Sequence, residues 1–330
     1  MNGGVKSAVP FLVVASFAAS LSAEPPPRSA PVEELVFVSC FKEMLPAPAL
    51  ESIAKIEPDV FVWMGDNVYG DTEDMDVLRA KYQMAREHPG YARIRAVSRV
   101  IGTWDDHDYG ANDAGKEYPM KRQSQQALLD FLDVPENSPT RKQEGVYAVH
   151  DFGPPGKLTR VILLDSRYFR DLVGSDGVML GEAQWSWLEK MLTGSEAQVN
   201  VLVSSIQVLA SEHRWEKWEN FPKEKKRLLD LLAREDVPPV VILSGDRHVG
   251  EISVDRENVG YPLYDITSSS LNLPLGDGDE PNRYREGRMF RGANFGSLTI
   301  DWSREIPVIT ACIRDEQGRP QRAVSLELQK

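Results

Sequence analysis

The chain has 330 residues, of which 42% are apolar and 27% are charged, and its 50 acidic residues outnumber its 38 basic ones. This length and composition indicate a globular protein with a substantial core and exclude a disordered chain. The net charge of −12 argues against bulk binding of nucleic acid, so no nucleic-acid-binding module is expected.

The N-terminus has the layout of a secretory signal peptide, because Lys6 precedes an apolar stretch at 8–21 and small residues end at Ala23. The stretch is shorter than the roughly 20 residues that a membrane-spanning helix needs, so no transmembrane segment is expected in the mature chain. We therefore predict a signal peptide at 1–23, a linker at 24–33, one domain at 34–330, and a secreted or periplasmic protein.

Strands and helices alternate through the first 244 residues. The predicted strands lie at 35–39, 60–64, 100–104, 146–151, 159–164, 199–205 and 240–244. The predicted helices lie at 47–55, 75–86, 91–98, 120–132, 181–192 and 221–233. After residue 250 the pattern changes to strands without helices, at 251–254, 263–267, 297–301, 308–313 and 323–328. These predict an α/β protein in which two packed sheets carry helices outside and an antiparallel tail completes the sheets.

Polar strings follow three of the predicted strands. They are Gly-Asp-Asn-Val-Tyr-Gly-Asp at 65–71, Trp-Asp-Asp-His-Asp at 104–108 and Gly-Asp-Arg-His at 245–248. Cys40 ends a fourth strand. Ligands of open α/β sheets bind beyond the carboxyl ends of the strands, where all four features lie. Carboxylate, imidazole, phenolate and thiolate groups together can hold two hard or borderline cations.

The chain has only two cysteines, Cys40 and Cys312. In an exported protein a disulfide between them is the default expectation. The position of Cys40 beside the polar strings favours a ligand thiolate instead, and both readings stay open at this point.

The order of these motifs resembles the alkaline phosphatase D (PhoD-like) family of calcineurin-like metallophosphoesterases. The resemblance covers about 36–302 and includes Leu-Asp-Ser-Arg-Tyr-Phe-Arg at 164–170, Leu-Gly-Glu-Ala-Gln-Trp at 180–185 and Asn-Phe-Gly at 294–296. It implies a four-layer αββα metallophosphoesterase sandwich with antiparallel C-terminal strands.

The resemblance also implies a binuclear or multinuclear metal centre with Fe³⁺ and Ca²⁺, other divalent metals being alternatives. Asp66 would bridge two cations. Cys40, Tyr69 and His248 would complete the first site, where a phenolate and a thiolate favour iron. Asp106 and Asp246 would hold the second cation, where their oxygens favour calcium. A shift of one residue would make Asp105 the ligand in place of Asp106.

By the same resemblance His107 is the general acid for the leaving alkoxide, and Asp108 orients it by accepting its other ring proton. Further candidates for contact with phosphate or metal are Asn67, Asn112, Gln207 and Arg247. Arg167 is interpreted as a structural ion-pair anchor, and 212–219, with two Trp among charges, is suggestive of a lid or a substrate rim.

The expected function is hydrolysis of phosphomonoesters, phosphodiesters or both by a metal-bound hydroxide, with a phosphate ester as the partner. A first alternative on the same scaffold is a phospholipase or phosphodiesterase acting on lipid or cell-wall phosphodiesters. A second is a non-catalytic binding protein stabilised by metal. A glycoside hydrolase using Asp105 and Asp108 explains neither Tyr69 nor the string at 245–248. The sequence leaves the oligomeric state open.

Overall fold

The computed structural model describes Met1 and residues 30–174, 177–274 and 280–330. Most of the predicted signal peptide and of the linker therefore lies outside the described residues. Within them, no helix is both long and apolar enough to cross a membrane.

The described residues form two six-stranded sheets. In chain order the strands are β1 Glu34–Val38, β2 Val60–Met64, β3 Arg99–Thr103, β4 Ala148–Phe152, β5 Thr159–Leu163, β6 Val199–Ser204, β7 Val241–Ser244, β8 Gly250–Asp255, β9 Leu263–Ser268, β10 Asn294–Asp301, β11 Val308–Asp315 and β12 Pro320–Glu327. The first sheet has the order β12-β11-β10-β1-β2-β3, and the second has the order β4-β5-β6-β7-β9-β8.

Helices cover the outer face of each sheet. They are α1 Pro48–Ile56, α2 Met75–Glu87, α3 Pro89–Val97, α4 Asp106–Tyr109, α5 Lys121–Phe131, α6 Gly181–Thr193 and α7 Pro222–Ala233. Local chemistry explains their ends. Pro stands in the first turn of α1, α3 and α7, where its missing N–H costs nothing. The Asp74 carboxylate caps α2 by accepting from the N–H groups of Asp76 and Val77.

Three apolar clusters separate four layers, as predicted. One packs α1, α2, α3 and α5 on the first sheet, a second lies between the sheets, and a third packs α6 and α7 on the second sheet. The middle cluster is built from alternate strand residues, such as Leu35 and Phe37 of β1 and Val201 and Val203 of β6, because successive strand side chains point to opposite faces.

Neighbouring strands of the predicted tail pair antiparallel with one another, as expected. β10, β11 and β12 are antiparallel neighbours in the first sheet. β8 and β9 join the second sheet, and β9 pairs parallel with β7 while pairing antiparallel with β8. The parallel pair joins the tail to the strand-helix repeat: β8 runs along the edge of the sheet, and β9 then returns in the direction of β7.

The topology collects the polar strings at one edge. β1, β2 and β3 are parallel neighbours, and so are β6 and β7, so the loops that follow them leave from corresponding ends of the two sheets. Two glycines permit the close approach. A Cβ on Gly65, whose φ is +104°, would lie 2.5 Å from Cβ of Asp105, and a Cβ on Gly245 would lie 2.6 Å from the Ser39 hydroxyl.

Candidate metal centre

A first group of donors comprises Cys40, Asp66 and His248, whose ligand atoms lie within 4.8 Å of one another. The Sγ of Cys40 is 3.3 Å from Oδ2 of Asp66. The hydroxyl of Tyr69 is 3.3 Å from the same Oδ2 and 3.3 Å from Nε2 of His248. The structure thus brings together all four residues that the sequence assigned to the first cation.

A second group consists of Asp66, Asp105, Asp106 and Asp246, again within 4.8 Å. Asp66 belongs to both groups, and its Oδ1 is buried without a hydrogen-bond partner. Oδ2 of Asp105 is also buried and unpartnered. Buried polar atoms are nearly always paired, so two orphaned carboxylate oxygens aimed into one cluster fit cations as the missing partners.

The electrostatics of the cluster support the same interpretation. Burial, followed by the charges of Cys40 and Asp106, raises the pKa of Asp66 well above its usual range. Burial and the charge of Asp105 likewise raise the pKa of Asp246, and burial raises that of Cys40 to about 11. These donors repel one another when ionised, and bound cations would remove the repulsion.

The free thiol of Cys40 excludes the disulfide alternative. Both cysteines are thiols, and Cys312 lies on β11. The Sγ of Cys40 contacts the Ser39 and Ser269 hydroxyls at 3.2 and 3.1 Å as well as Asp66.

Arg167 binds the second group from its buried side, as the sequence predicted. Its guanidinium is fully buried, bonds Oδ1 of Asp105 at 2.6 Å and pairs with Glu216 at 2.6 Å. Oδ1 of Asp105 also accepts from Ser205 at 2.6 Å. Asp106 uses its Oδ2 to accept the N–H of Asp113 at 2.7 Å. Both acids belong to the second group and have ligand atoms within reach of one cation.

His107 has a different partner from the predicted one. Its Nδ1 lies 2.7 Å from Oδ1 of Asp71, not against Asp108. Burial alone would lower the pKa of His107, but the hydrogen bond to Asp71 and the nearby charge of Asp106 outweigh it and raise the pKa to about 9. His107 also lies within 4.8 Å of Asp66 and Asp106, so it borders the cation cluster directly.

Asp108 supports the loops instead of the imidazole. Its carboxylate accepts the N–H groups of Asp66 at 3.1 Å and Asp105 at 2.8 Å, and the Tyr82 hydroxyl at 3.2 Å. The assignment of Asp108 as the orienting residue is therefore wrong. Its position explains why: residues 107 and 108 are neighbours on the short helix α4, so their side chains diverge by about 100°, and Asp108 turns back to the helix N-terminus.

Two of the four predicted substrate contacts are also wrong. The Asn67 amide donates to the Thr103 carbonyl and to Asp108, inside the protein. The Gln207 amide donates to Glu251 and Thr267, and its oxygen lies 2.9 Å from Nε2 of His213. In each case buried neighbours already satisfy the amide, so neither side chain is left to bind a ligand.

A cavity of about 480 Å³ opens beside the cluster. Its lining includes the predicted site residues Asp106, His107, Asn112, Asp246, Arg247 and His248. It also includes residues that the sequence did not assign to the site individually, among them Asp113, Arg214, Trp215 and Glu216. The last three belong to 212–219, so that segment does form a rim. The sequence analysis missed Asp71, which ends the first polar string. The presence of a second acid in that string, after Asp66, was the available signal.

The site is built on strained backbone. Eight described residues other than glycine have positive φ, and six of them are Cys40, Asp66, Asp71, Asp113, Asp246 and His248. Their φ values lie between 47° and 66°, in the left-handed region that side chains disfavour. Such concentration of strain is typical of functional sites, because the turns direct the side chains inwards.

Comparisons with known proteins agree with this geometry. The model of the PhoD-like phosphatase family matches residues 35–264. Alkaline phosphatase D of Bacillus subtilis (strain 168) is 23% identical in an alignment 296 residues long, and the match covers 72% of this chain and 50% of that protein. The chain thus spans about half the length of this curated relative.

Two solved structures share the fold. The structure of PhoD superposes with a TM-score of 0.72 at 18% identity, covering 92% of this chain and 70% of that one. Purple acid phosphatase PPD1 from yellow lupin (Lupinus luteus) seeds superposes with a TM-score of 0.65 at 12% identity, covering 92% and 55%. These matches confirm the predicted α/β architecture.

Proposed function

The chain belongs to the PhoD-like phosphatase family, and on that premise we propose that it is a metal-dependent phosphoric ester hydrolase acting on phosphomonoesters, phosphodiesters or both. The observation that carries the proposal is the position of Asp66, which belongs to two donor groups at once and keeps one buried oxygen unpartnered. A single carboxylate shared in this way suits a pair of cations.

We assign Cys40, Tyr69 and His248 with Asp66 to the first cation, and Asp246 with Asp105 or Asp106 to the second. The thiol, phenol and imidazole of the first group suit Fe³⁺, and the carboxylates of the second suit Ca²⁺. Bound cations would acidify a water molecule and polarise a phosphoryl oxygen.

The chain's own residues have three tasks. His107 lines the cavity and carries a proton for the leaving oxygen, and Asp71 fixes the orientation of its ring through Nδ1. Arg247 and Asn112 line the same cavity and can donate to phosphate oxygens. Arg167 keeps Asp105 in place from the buried side. A non-catalytic metal protein would have no use for an imidazole held towards the cavity.

The direct test is hydrolysis of p-nitrophenyl phosphate and bis(p-nitrophenyl) phosphate by protein with measured iron and calcium content. We expect turnover of at least one ester that depends on added metal, and the ratio of the two rates gives the preference between monoesters and diesters. Inertness towards both esters at full metal occupancy would overturn the proposal.

Export is a separate proposal that rests on the sequence at 1–23. It predicts that protein recovered outside the cytoplasm begins at residue 24. N-terminal sequencing of the recovered protein checks this, and an intact Met1 would contradict it.

A further inference from the structure

We propose that Trp215 and the guanidinium groups of Arg214 and Arg247 beside it form a subsite for a planar aromatic group attached to the phosphoryl group of the substrate. The inference deepens the proposed function and depends on it. It concerns which esters the enzyme prefers, rather than whether it hydrolyses esters.

The first argument is room. The cavity holds about 480 Å³, which falls within the range of roughly 300–1,000 Å³ found for sites that enclose organic ligands. Asp106, His107, Asp246 and His248 line one part of it, and Trp215, Arg214 and Arg247 line another. Because both sets line one cavity, a single ligand can contact both with different parts.

The second argument is the chemistry of the aromatic wall. Trp215 is 43% exposed and lines the cavity, so part of its indole is open to a ligand. The guanidinium carbon of Arg214 lies 4.4 Å from its ring centroid and that of Arg247 lies 5.6 Å away. A ligand ring can therefore pack against the part of the indole that these guanidinium groups leave exposed, and their positive charge favours an anionic group nearby.

The third argument is preorganisation. The indole N–H of Trp215 donates to Glu280, which also pairs with Arg247. Glu216, which directly follows Trp215 in the sequence, points inwards and pairs with the buried guanidinium groups of Arg167 and Arg170. Trp218 is completely buried and donates to the Ser204 hydroxyl at 2.9 Å. The exposed ring is therefore fixed by anchored neighbours, and little conformational entropy is lost when a ligand stacks on it.

The test compares phenylphosphonate with methylphosphonate by isothermal titration calorimetry on the metal-loaded protein. Both carry the same anionic head on a carbon–phosphorus bond that ester hydrolysis does not cleave, so the readout does not depend on turnover. Stacking of an aromatic ring predicts that phenylphosphonate binds about 5- to 150-fold more tightly.

Trp215→Ala should reduce this ratio to near one while leaving the affinity for inorganic phosphate within about twofold. Trp215→Phe should keep most of the ratio because it keeps a ring. Trp187→Ala is the matched control and should leave the ratio unchanged. The Trp187 ring packs against Tyr147 with the ring centroids 4.8 Å apart and does not line the cavity.

Two results would overturn the subsite alone: equal affinities in the unmodified protein, or a ratio that survives Trp215→Ala, each with inorganic phosphate still bound. Absence of binding by phosphate and by both phosphonates would overturn the phosphate site itself, and the proposed function with it. The two failures are therefore distinguishable.

Discussion

His107 and Asp108 follow each other in the chain, yet their side chains leave helix α4 in different directions. One faces the cavity and binds Asp71, and the other is buried and holds the N–H groups of Asp66 and Asp105. Substitutions at these positions should therefore separate turnover from stability.

We expect His107→Ala to lower kcat by about 10² to 10⁴ with metal content unchanged, because a general acid is lost.

Asp71→Asn should lower kcat as well, since it removes the charge beside the ring of His107. Its free energy of unfolding should change by less than about 0.5 kcal/mol, as the Asp71 side chain is 42% exposed. Kinetics, elemental analysis and urea titration provide the measurements. Loss of metal from His107→Ala would instead make His107 a ligand.

Asp108→Asn should instead lower the stability of the protein more than its kcat. An Asn oxygen in place of Oδ1 can keep the N–H groups of Asp66 and Asp105, but its NH2 group would then face the Asn67 amide and the Tyr82 hydroxyl, which now donate to Oδ2. Opposed donors and buried groups left unpaired cost about 1–3 kcal/mol each. We expect the free energy of unfolding to fall by about 3 kcal/mol, measured by urea titration. A stable variant with only kcat reduced would restore Asp108 to the catalytic role.

At the scale of elements, the close approach of the loop after β2 to the loop after β3 depends on Gly65. In Gly65→Ala the new Cβ would meet Cβ and N of Asp105 at 2.5 and 2.7 Å while φ stays at +104°. We expect a loss of several kcal/mol of stability and weaker metal binding, because the two loops carry Asp66 and Asp106 and must separate.

Gly156→Ala is the matched control. Its φ is +84°, but a Cβ there would meet nothing within 4 Å. Only the backbone cost of about 1–2 kcal/mol is expected. Equal losses in both variants, measured by urea titration, would show that contact between the loops is unimportant.

The sequence predicted the elements well because most strands are apolar runs and most helices carry one apolar face. β2, for example, is buried at all five positions and begins and ends where predicted. The residues near Asp66 and His248 were predictable because they directly follow such strands. The partner of His107 was not, because it depends on the direction in which a four-residue helix turns its side chains. The hydrogen bonds that satisfy the Gln207 amide were not predictable either, because their partners, Glu251 and Thr267, lie 44 and 60 residues away in the sequence.

For the whole molecule, the clustered carboxylates should make stability depend on bound cations. Ligands that bind only the folded state add about 4 kcal/mol when present at 1,000 times their Kd. We expect a chelator to lower the free energy of unfolding by a few kcal/mol in the unmodified protein and by less in Asp66→Asn. Asp301→Asn, at an exposed acid, should respond like the unmodified protein. Thermal unfolding that is identical with and without chelator would contradict the metal centre.

A second global effect comes from His213, which is buried beside Gln207 and outside the cation cluster. Burial, followed by the charges of Arg247 and Lys217, lowers its pKa to about 3. The unfolded chain binds a proton at this residue near pH 6.5 and the folded chain does not, so stability present above pH 6.5 is lost as the pH falls.

Between about pH 6.5 and pH 5 the loss from His213 should approach about 2 kcal/mol. The difference in free energy of unfolding between the unmodified protein and His213→Gln should therefore change with pH in this range. Both proteins carry the same carboxylates, so the difference between them at each pH removes the contribution of carboxylate protonation to stability. A constant difference would mean that His213 titrates alike in both states.

The left-handed backbone at the proposed ligands has a consequence for engineering. At 40 and 248 the chain holds Cys and His at φ of 55° and 56°, where Gly or Asn would fit with less strain. Directed evolution for heat resistance in metal-free protein, where no bound cation offsets this strain, would thus be drawn to these two codons and would discard a thiol and an imidazole from the cluster. Selection of hardier variants of this protein therefore has to score catalysis in the same round, or the more robust clones will be the inactive ones.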